Sequence, residues 1–240
     1  MYDVSQTWQT LIADELHWFE VKVVIDEDGT PINVPASSIF DLSIQQRAFS
    51  GEQPTVGACL SAEIDLKILR PGSNIPRMAS ISPYVCVTNG TTTSEWIPQG
   101  KFFIDTREYS QNDDSLNVVT IHGYDSMLKT EDSYPDTTHA WPMSDIAVVN
   151  EIATTIGVSV DPRTTALMTN NYQISAPAGY SMREVLGNIA AMYCGNFIMN
   201  YDGELLLVTI DSYPPETSYI VTGAGNPITF GGDRILVSAI

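Results

Sequence analysis

Apolar and polar residues alternate through much of the first 130 residues, in the period-two pattern of strands with one packed face. Residues 60–69 show the pattern most clearly, since apolar residues there take every second position. The apolar positions are Ala62, Ile64, Leu66 and Ile68, and the polar positions between them are Ser61, Glu63, Asp65 and Lys67. A strand with one buried face and one solvated face is predicted here.

Two further stretches predict hairpins. In the first, residues 19–25 are apolar and β-branched, Asp28 and Gly29 supply a tight turn, and residues 31–34 return.

The second hairpin has its strands at residues 101–105 and 117–122. The polar residues 111–114 form its tip. Strands of this kind favour a small barrel or a sandwich, because closing the sheet removes exposed edges. An open antiparallel sheet is the alternative. Residues 4–16 predict a short helix that plugs or flanks the barrel.

After Tyr134 the apolar spacing changes to intervals of three or four, which is typical of helices. The first helix follows Pro142 and Ser144 and is expected to stop at Gly157. Its apolar positions are Ile146, Val149, Ala153 and Ile156.

A second helix is predicted to begin at Ser181, whose hydroxyl can cap a backbone N–H while Glu184 reaches back, as in a capping box. Gly195 is expected to end this helix. Its inward-facing residues are predicted to be Val185, Ile189 and Met192.

Asp202 and Gly203 then lie between the apolar runs 197–199 and 204–208, which predicts another tight hairpin. The expected fold class is therefore α+β and mainly β.

Three regions are expected. An N-terminal antiparallel β-barrel would cover residues 1–132. A smaller α+β module of two helices and a hairpin would cover residues 133–210. Residues 211–240 would supply returning strands or the start of a second barrel, because the chain ends inside the strand-like run 234–240. Ending there would expose a strand edge, so the chain is expected to be the front of a longer protein, or its last strand to return to the first barrel.

The net charge of −18 arises from 29 acidic and 11 basic residues. Such a surface repels phosphate, which excludes sequence-tolerant nucleic-acid binding and disfavours docking on anionic lipid. The start of the chain lacks the pattern of a signal peptide, and no apolar run reaches membrane length. Synthesis in a cytoplasm without export, and no membrane insertion, are expected.

Candidate chemistry is sparse. Cys59, Cys86 and Cys194 form neither a disulfide framework nor a Cys-x-x-Cys zinc pair, and are predicted to be buried thiols. Cys194 could pair in space with a histidine to act as a nucleophile, but its neighbours supply no catalytic signature.

The three histidines are His17, His122 and His139, which lie far apart in the sequence. A structural role is expected for them rather than base catalysis. No catalytic, cofactor-binding or metal-binding residue is predicted.

Two acidic loops and one glycine-rich loop are candidate ligand sites. Residues 26–29 have the acidic character of a calcium loop but lack the spacing that completes the cage, so a solvated hairpin tip is expected. Residues 111–114 have the same status. Residues 223–225 are glycine-rich, but no helical pattern follows them, which favours a turn over a phosphate site.

The tryptophans could stack on sugars, although such residues more often fill cores or subunit contacts. They are Trp8, Trp18, Trp96 and Trp141. Their exposure decides between the two interpretations.

Two phrases around the second hairpin resemble the N-terminal region of phage and prophage tail hub proteins. They are residues 97–105, IPQGKFFID, and residues 120–128, TIHGYDSML. These hubs include baseplate hubs and the front of tail-associated lysins, in the prophage endopeptidase tail family. The helix followed by a glycine and the Asp-Gly hairpin resembles the next part of the same family, so the likeness covers roughly residues 97–210.

The resemblance implies a structural subunit that closes or extends the tail tube and connects it to the host-recognition or wall-penetration apparatus. It implies a homotrimer with two barrels per subunit, in contact with the distal tail protein, the tape measure and the tail tube. DNA would pass through the channel without specific binding, and the protein would lie in the virion tail after assembly in the bacterial cytoplasm. Alternatives are a cell-wall hydrolase and a carbohydrate receptor-binding module of the tail.

Overall fold

The structure is a computed structural model, and it describes most of the chain in several segments. These are residues 4–27, 29–49, 55–72, 74–77, 79–110, 117–135 and 139–210, together with the backbone of short strands between residues 218 and 237. Within them, no helix is long and apolar enough to cross a bilayer.

An antiparallel sheet of eight strands forms the N-terminal part of the described chain. Its strands are β1 (Trp18–Glu27), β2 (Thr30–Val34), β3 (Ile39–Gln45), β5 (Glu63–Leu69), β6 (Ser80–Thr88), β7 (Ile97–Pro98), β8 (Phe102–Ser110) and β9 (Val118–Asp125), while β4 (Cys59–Leu60) belongs elsewhere. The spatial order is β2-β1-β6-β8-β9-β5-β3, with β7 also beside β6.

The sheet is open, so the prediction of a closed barrel is wrong, whereas α+β and mainly β is correct. Among the described strands, β2 and β3 are edges that do not pair with each other. A 3-10 turn at Ala36–Ser38 separates them and redirects the chain between the two edges. Both edge strands nevertheless contribute side chains to one core, so the sheet curls around it without closing.

Alternation along β5 follows the predicted register, with Ile64, Leu66 and Ile68 buried and Asp65 and Lys67 exposed. The buried face of the sheet forms a single apolar core. Its members are Val23, Ile25, Val34, Ala62, Ile64, Leu66, Ile68, Ile75, Ala79, Ile81, Phe102, Ile104, Val119 and Ile121.

Both predicted N-terminal hairpins are confirmed. Strand β1 pairs with β2, and β8 pairs with β9, with a bulge between Ile104 and Thr106. Gly123 lies in β9 at this irregularity, where a Cβ atom would sit 2.5 Å from the Phe103 carbonyl oxygen. A glycine is therefore required in the phrase that carries the family resemblance, and the reason is close backbone approach. The predicted tip at 111–114 lies outside the described residues.

The α+β module contains α2 (Asp145–Ile156), α3 (Pro162–Leu167), α4 (Met182–Met192), β10 (Met143–Ser144), β11 (Gln173–Ile174), β12 (Gly195–Met199) and β13 (Leu205–Thr209). Ser144 caps α2 and Gly157 ends it in the left-handed conformation, as predicted. The capping box of Ser181 and Glu184 is also present.

The β12–β13 hairpin turns at Asp202 and Gly203 as predicted. Helix α3 was not predicted from the sequence. Its start is marked by Asp161 as the N-cap and Pro162 in the first turn, a signal that could have revealed it.

The end of α4 differs from the prediction in two respects. The helix stops at Met192, which is exposed rather than inward-facing, because the chain turns at Tyr193 and Cys194. Gly195 is the first residue of β12, and a Cβ atom there would lie 2.4 Å from the Val208 carbonyl oxygen. This glycine serves strand pairing and not helix termination.

Sheet and module are connected by residues that come early in the chain. Strand β4 pairs in parallel with β12, and the Asn196 amide bonds the backbone of Ala48, Thr55 and Ala58. A second apolar core fills the module and includes Cys59 from β4 and Met127 from the turn after β9. The division between residues 132 and 133 stays a prediction.

The predicted strand-like run at 234–240 lies largely outside the described residues. Four short strands near it pair with one another as Ser218–Tyr219 with Leu236–Val237, and Thr229–Phe230 with Asp233–Arg234. Neither the return to the first sheet nor a second barrel is tested by these pairs.

Candidate assembly surface

The predicted N-terminal helix is α1 (Gln6–Ile12), which lies against β6 at one end of the sheet. Ser5 caps it, accepting a hydrogen bond from the Trp8 backbone N–H at 3.1 Å. The Glu95 carboxylate accepts from the Ser5 backbone N–H at 2.7 Å, and past the other end of the helix the Asn89 amide donates to Asp14 at 3.1 Å. The loop between β6 and β7 therefore holds α1 at both ends.

Hydrogen bonding lowers the pKa of two carboxyl groups at these contacts. The side-chain bond from Ser5 is the main cause for Glu95, and the side-chain bond from Asn89 is the main cause for Asp14. Both groups stay ionised at neutral pH and add to the negative charge around α1.

An aromatic contact fills the space under the helix. The Trp8 and Phe19 ring centroids are 6.2 Å apart, and the His17 ring meets Phe19 edge-on at 5.8 Å. Phe19 lies on the same face of β1 as the buried Val23 and Ile25, because side chains two apart share a face. Helix α1 thus partly covers the end of the sheet's apolar face, in the flanking position.

Four large apolar side chains remain exposed between residues 12 and 19. They are Ile12, Leu16, Trp18 and Phe19, with exposed fractions of 46%, 78%, 49% and 51%, and we call them the end surface. The carboxylates of Asp14, Glu15 and Glu20 are interspersed with them. Exposed apolar side chains with carboxylates beside them are the usual composition of a protein-binding surface, and here Trp18 and Phe19 offer them on opposite faces of the sheet end. The end surface is therefore the candidate site for assembly.

The backbone beside Trp18 is shaped to receive its ring. Gly90 has φ +84°, and a Cβ atom there would lie 2.9 Å from the Trp18 ring. The sequence predicts for Trp18 either a sugar platform or, more often, a place in the core or in a subunit contact, and it does not indicate Leu16 and Phe19 as exposed residues. Strand alternation does not predict that these side chains are exposed, because exposure at the end of a strand depends on which other element covers it.

The histidines occupy separate places in the fold. Nδ1 of His122 lies 2.8 Å from the Asp65 carboxylate on the outer face of the sheet. Nε2 of His139 lies 3.0 Å from Glu151, which also accepts a hydrogen bond from the Tyr134 hydroxyl. Burial is the main cause that raises the pKa of Tyr134, followed by its bond to Glu151. His17 contacts the Asp14 carbonyl oxygen at 2.7 Å. These contacts brace local structure.

Two of the three cysteines are buried, and the third is not. Burial raises the pKa of Cys59 to about 12, so its thiol is unreactive at neutral pH. Cys86 is also buried. The prediction for Cys194 is wrong, because the left-handed backbone at this residue, with φ 52°, turns its side chain outward after α4.

Of the three candidate ligand loops, Asp28, residues 111–114 and residues 223–225 lie outside the described residues. In the part that is described, no three side chains of His, Cys, Asp or Glu come together as metal ligands would.

The tryptophans differ in exposure. Trp18 is about half exposed. Trp8, Trp96 and Trp141 are partly buried, Trp141 against the core of the module and Trp96 beneath the Lys22 ammonium at 4.3 Å. Most of this set therefore packs within the fold, as the core interpretation expects.

The architecture defines a class of protein: a curled antiparallel sheet joined to a smaller α+β module. The chain matches no protein-family model and no curated protein. Two solved structures have the same fold. One is the 43 kDa tail protein of prophage MuSo2 from Shewanella oneidensis, with a TM-score of 0.53 and 13% identity over 79% of this chain and 55% of that one. The other is a tail protein from Neisseria meningitidis MC58, with a TM-score of 0.52 and 16% identity over 82% of this chain and 53% of that one.

The resemblance drawn from residues 97–105 and 120–128 is confirmed at the level of the fold, which this chain shares with phage-type tail proteins. The chain spans about half the length of the two tail proteins that it matches.

Proposed function

We propose that this chain is a structural subunit of a phage or prophage tail tip, a baseplate hub that closes or extends the tail tube. The observation that carries the proposal is the fold shared with two tail proteins over about four fifths of the chain. The hub would connect the tube to the apparatus for host recognition or wall penetration, and its neighbours would be the distal tail protein, the tape measure and the tube.

The end surface supports a role in assembly. The apolar side chains of Leu16, Trp18 and Phe19 are exposed, and their area would be removed from water only when another subunit covers them. We assign the end surface to contact between the subunits of a homotrimer. In a cyclic trimer this surface would meet a different surface of the neighbouring subunit, and the ring would still close.

The outer face of the sheet supports a passage for DNA without adhesion. Asp41 pairs across strands with Lys67, and Asp65 pairs with His122, while Glu63 adds a further carboxylate to this face. Such a face carries more negative than positive groups, which repels the phosphate backbone. If it lines the channel of an assembled ring, a charge map of that ring is expected to show a negative bore. A neutral or basic bore would refute the proposed passage of DNA without adhesion and would leave the hub role unaffected.

A structural role also fits the chemistry of the described residues, whose histidines and buried thiols serve local contacts. A wall hydrolase is the competing function. Incubation of the purified chain with peptidoglycan is expected to release no soluble fragments, and turnover would favour the competitor.

Location in the particle tests the hub role directly. An antibody raised against the chain is expected to label the distal end of tails in immunogold electron micrographs of particles from the strain that carries the gene. Labelling along the whole tube, on the head or nowhere on the particle would contradict the proposal. Tails from a strain with the gene deleted provide the control.

A further inference from the structure

A cleft of about 470 Å³ lies between the outer face of the sheet and the turn of the β12–β13 hairpin. Strands β1 and β6 form its floor, the segment after β7 forms one wall, and Tyr201 and Asp202 form the other. This volume is within the roughly 300–1,000 Å³ typical of small-molecule sites. The charged groups named for the DNA passage lie on β3, β5 and β9, whereas the floor of the cleft is formed by β1 and β6.

One glycine shapes a wall of the cleft, and a second lets the two walls come close together. Gly100 has φ +122°, where a Cβ atom would lie 2.7 Å from the Phe102 ring. Gly203 has φ +80°, and its Cβ position is 3.3 Å from Cβ of Lys101. The hairpin turn and Lys101 are therefore in near contact, and the cleft is bounded by backbone whose shape depends on glycine.

The floor of the cleft offers hydrogen-bonding groups of both kinds. Oδ1 of Asp26 is buried and accepts no hydrogen bond from the described residues. The hydroxyl of Ser80 donates to the Asp26 carbonyl oxygen at 3.2 Å, which leaves its own lone pairs available, and the Ser82 hydroxyl lies beside it. A buried acceptor without a donor is a group that a ligand hydroxyl would satisfy.

Aromatic rings stand at two sides of the same space. Tyr201 is 44% exposed at the hairpin tip, and Tyr84 extends from the floor. The Lys22 ammonium is 5.3 Å from the centre of the Tyr84 ring and holds that ring in place. Aromatic faces beside carboxylates and hydroxyls suit a ligand that has both apolar C–H faces and many hydroxyl groups.

The charges in and beside the cleft nearly cancel. Asp26 and Asp202 supply two negative charges, and Lys101 and Lys22 supply two positive ones. The cleft therefore favours neither a phosphate nor a polyamine, because attraction by one pair of charged residues is offset by repulsion from the other pair. A divalent cation is also disfavoured, because among the described side chains no group of three metal ligands forms.

We propose that this cleft binds a neutral saccharide, with Asp26 accepting from sugar hydroxyls and Tyr201 covering one face of the ring. The inference stands on the cleft and does not require the tail role. If both hold, the tail tip carries a sugar site of its own.

Saturation-transfer NMR on the purified chain tests the proposal, with glucose, galactose, rhamnose and N-acetylglucosamine as probes. Signal transfer to at least one of these sugars is expected. Tyr201→Ala is expected to abolish the transfer, and Asp26→Ala to weaken the affinity at least tenfold. Tyr180→Ala is the matched control, because Tyr180 is similarly exposed, at 51%, and does not line the cleft.

Three results would overturn the proposal: transfer to none of the four sugars, equal transfer in the Tyr201→Ala and Tyr180→Ala variants, or preferential binding of spermidine or inorganic phosphate. Thermal melts of every variant, read by circular dichroism, confirm that loss of transfer is not loss of folding. The immunogold result for the tail role is independent of each of these outcomes.

Discussion

The Arg183 guanidinium, in the first turn of α4, donates a hydrogen bond of 3.0 Å to the backbone carbonyl of Cys59, 124 residues earlier in the chain. The same side chain donates to the Ser61 hydroxyl at 3.1 Å and to the Met127 carbonyl at 3.2 Å. It also forms an ion pair with Glu131 at 2.9 Å. One arginine thus binds β4, the segment before β5, and the turn after β9 to the helical module.

Replacing this arginine should loosen the join between sheet and module. Arg183→Met keeps the length of the stem but leaves the carbonyls of Cys59 and Met127 without their charged donor. We expect the free energy of unfolding to fall by about 2–4 kcal/mol, since three hydrogen bonds from a charged donor are lost, although the Met127 carbonyl keeps the bond from the Thr130 hydroxyl. Urea unfolding followed by circular dichroism measures it. Arg47→Met is the control, because Arg47 is exposed and bonds only its near neighbour Gln45 among the described residues. An equal loss of stability in Arg47→Met would contradict the claim that Arg183 stabilises the contact between sheet and module.

Stability should also depend on pH through Asp125, which lies beside this join. Its carboxylate accepts from the backbone N–H of Ala62 at 2.8 Å and of Met127 at 3.0 Å, yet burial raises its pKa from 3.8 to about 6. The folded state therefore binds a proton at the Asp125 carboxylate more tightly than the unfolded state does. The stability that results is complete below about pH 3.8 and is lost as the pH rises through 6.

The Asp125→Asn variant isolates this dependence, because it cannot titrate. Wild type is expected to lose about 3 kcal/mol relative to the variant between pH 4 and pH 7, as the shift implies. Urea unfolding of both proteins at several pH values in that range gives the difference. If wild type instead gained stability relative to the variant as the pH rises, the two N–H bonds would outweigh burial.

Asp161 should behave in the opposite way. It caps α3, accepts from the Asn200 amide at 2.8 Å and pairs with Arg163, whose hydrogen bonds are the main cause that lowers the Asp161 pKa to about 2. Here the folded pKa is below the unfolded value of 3.8, so the stability is present above that value and is lost as the pH falls through 2.

Asp161→Asn is therefore expected to cost about 2 kcal/mol at pH 7, and the cost should shrink as the pH approaches 2. Asp41→Asn, at an exposed position of β3, is the matched control and should change stability by less than about 0.5 kcal/mol. Chemical unfolding at pH 7 and pH 3 gives both numbers. A cost that is the same at the two pH values would show that the charge of Asp161 is not what matters.

The sequence predicted those parts of the fold that depend on local signals. Capping at Ser144 and Ser181, the alternation at Ile64 and Leu66, and the Asp-Gly turn before Glu204 are each set by residues within a few positions of one another. Local signals therefore located most helices and hairpins correctly.

The sequence could not predict features that depend on distant parts of the chain. Strand β4 pairs with β12, which comes more than a hundred residues later, and no local pattern announces that contact. The prediction of a closed barrel failed for the same reason, because closure depends on the relative position of β2 and β3. The end surface and the cleft were missed because exposure and enclosure arise only when separate elements meet.

The glycine in the resemblance phrase can be tested by adding one methyl group. Gly123→Ala would place Cβ 2.5 Å from the Phe103 carbonyl oxygen, so β8 and β9 must shift apart at their bulge. We expect a loss of about 1–3 kcal/mol in unfolding free energy, as for other overpacked sites. Gly72→Ala is the control, because no atom lies within 4 Å of its Cβ position, and it should be neutral or slightly stabilising. Equal thermal stability of the two variants would contradict the steric account.

The end surface makes a prediction about association. Leu16→Asp puts a charge on the side chain that is 78% exposed, so it should leave folding unchanged but disrupt any contact that buries this surface. Sedimentation across a range of concentrations is expected to show trimers for wild type and a shift to monomers for the variant. Leu167→Asp, at a leucine 38% exposed on α3, is the control and should assemble as wild type does. Trimers that persist in Leu16→Asp but dissociate in Leu167→Asp would move the subunit contact to the α+β module, because a buried unpaired charge is tolerated only where no neighbour covers it.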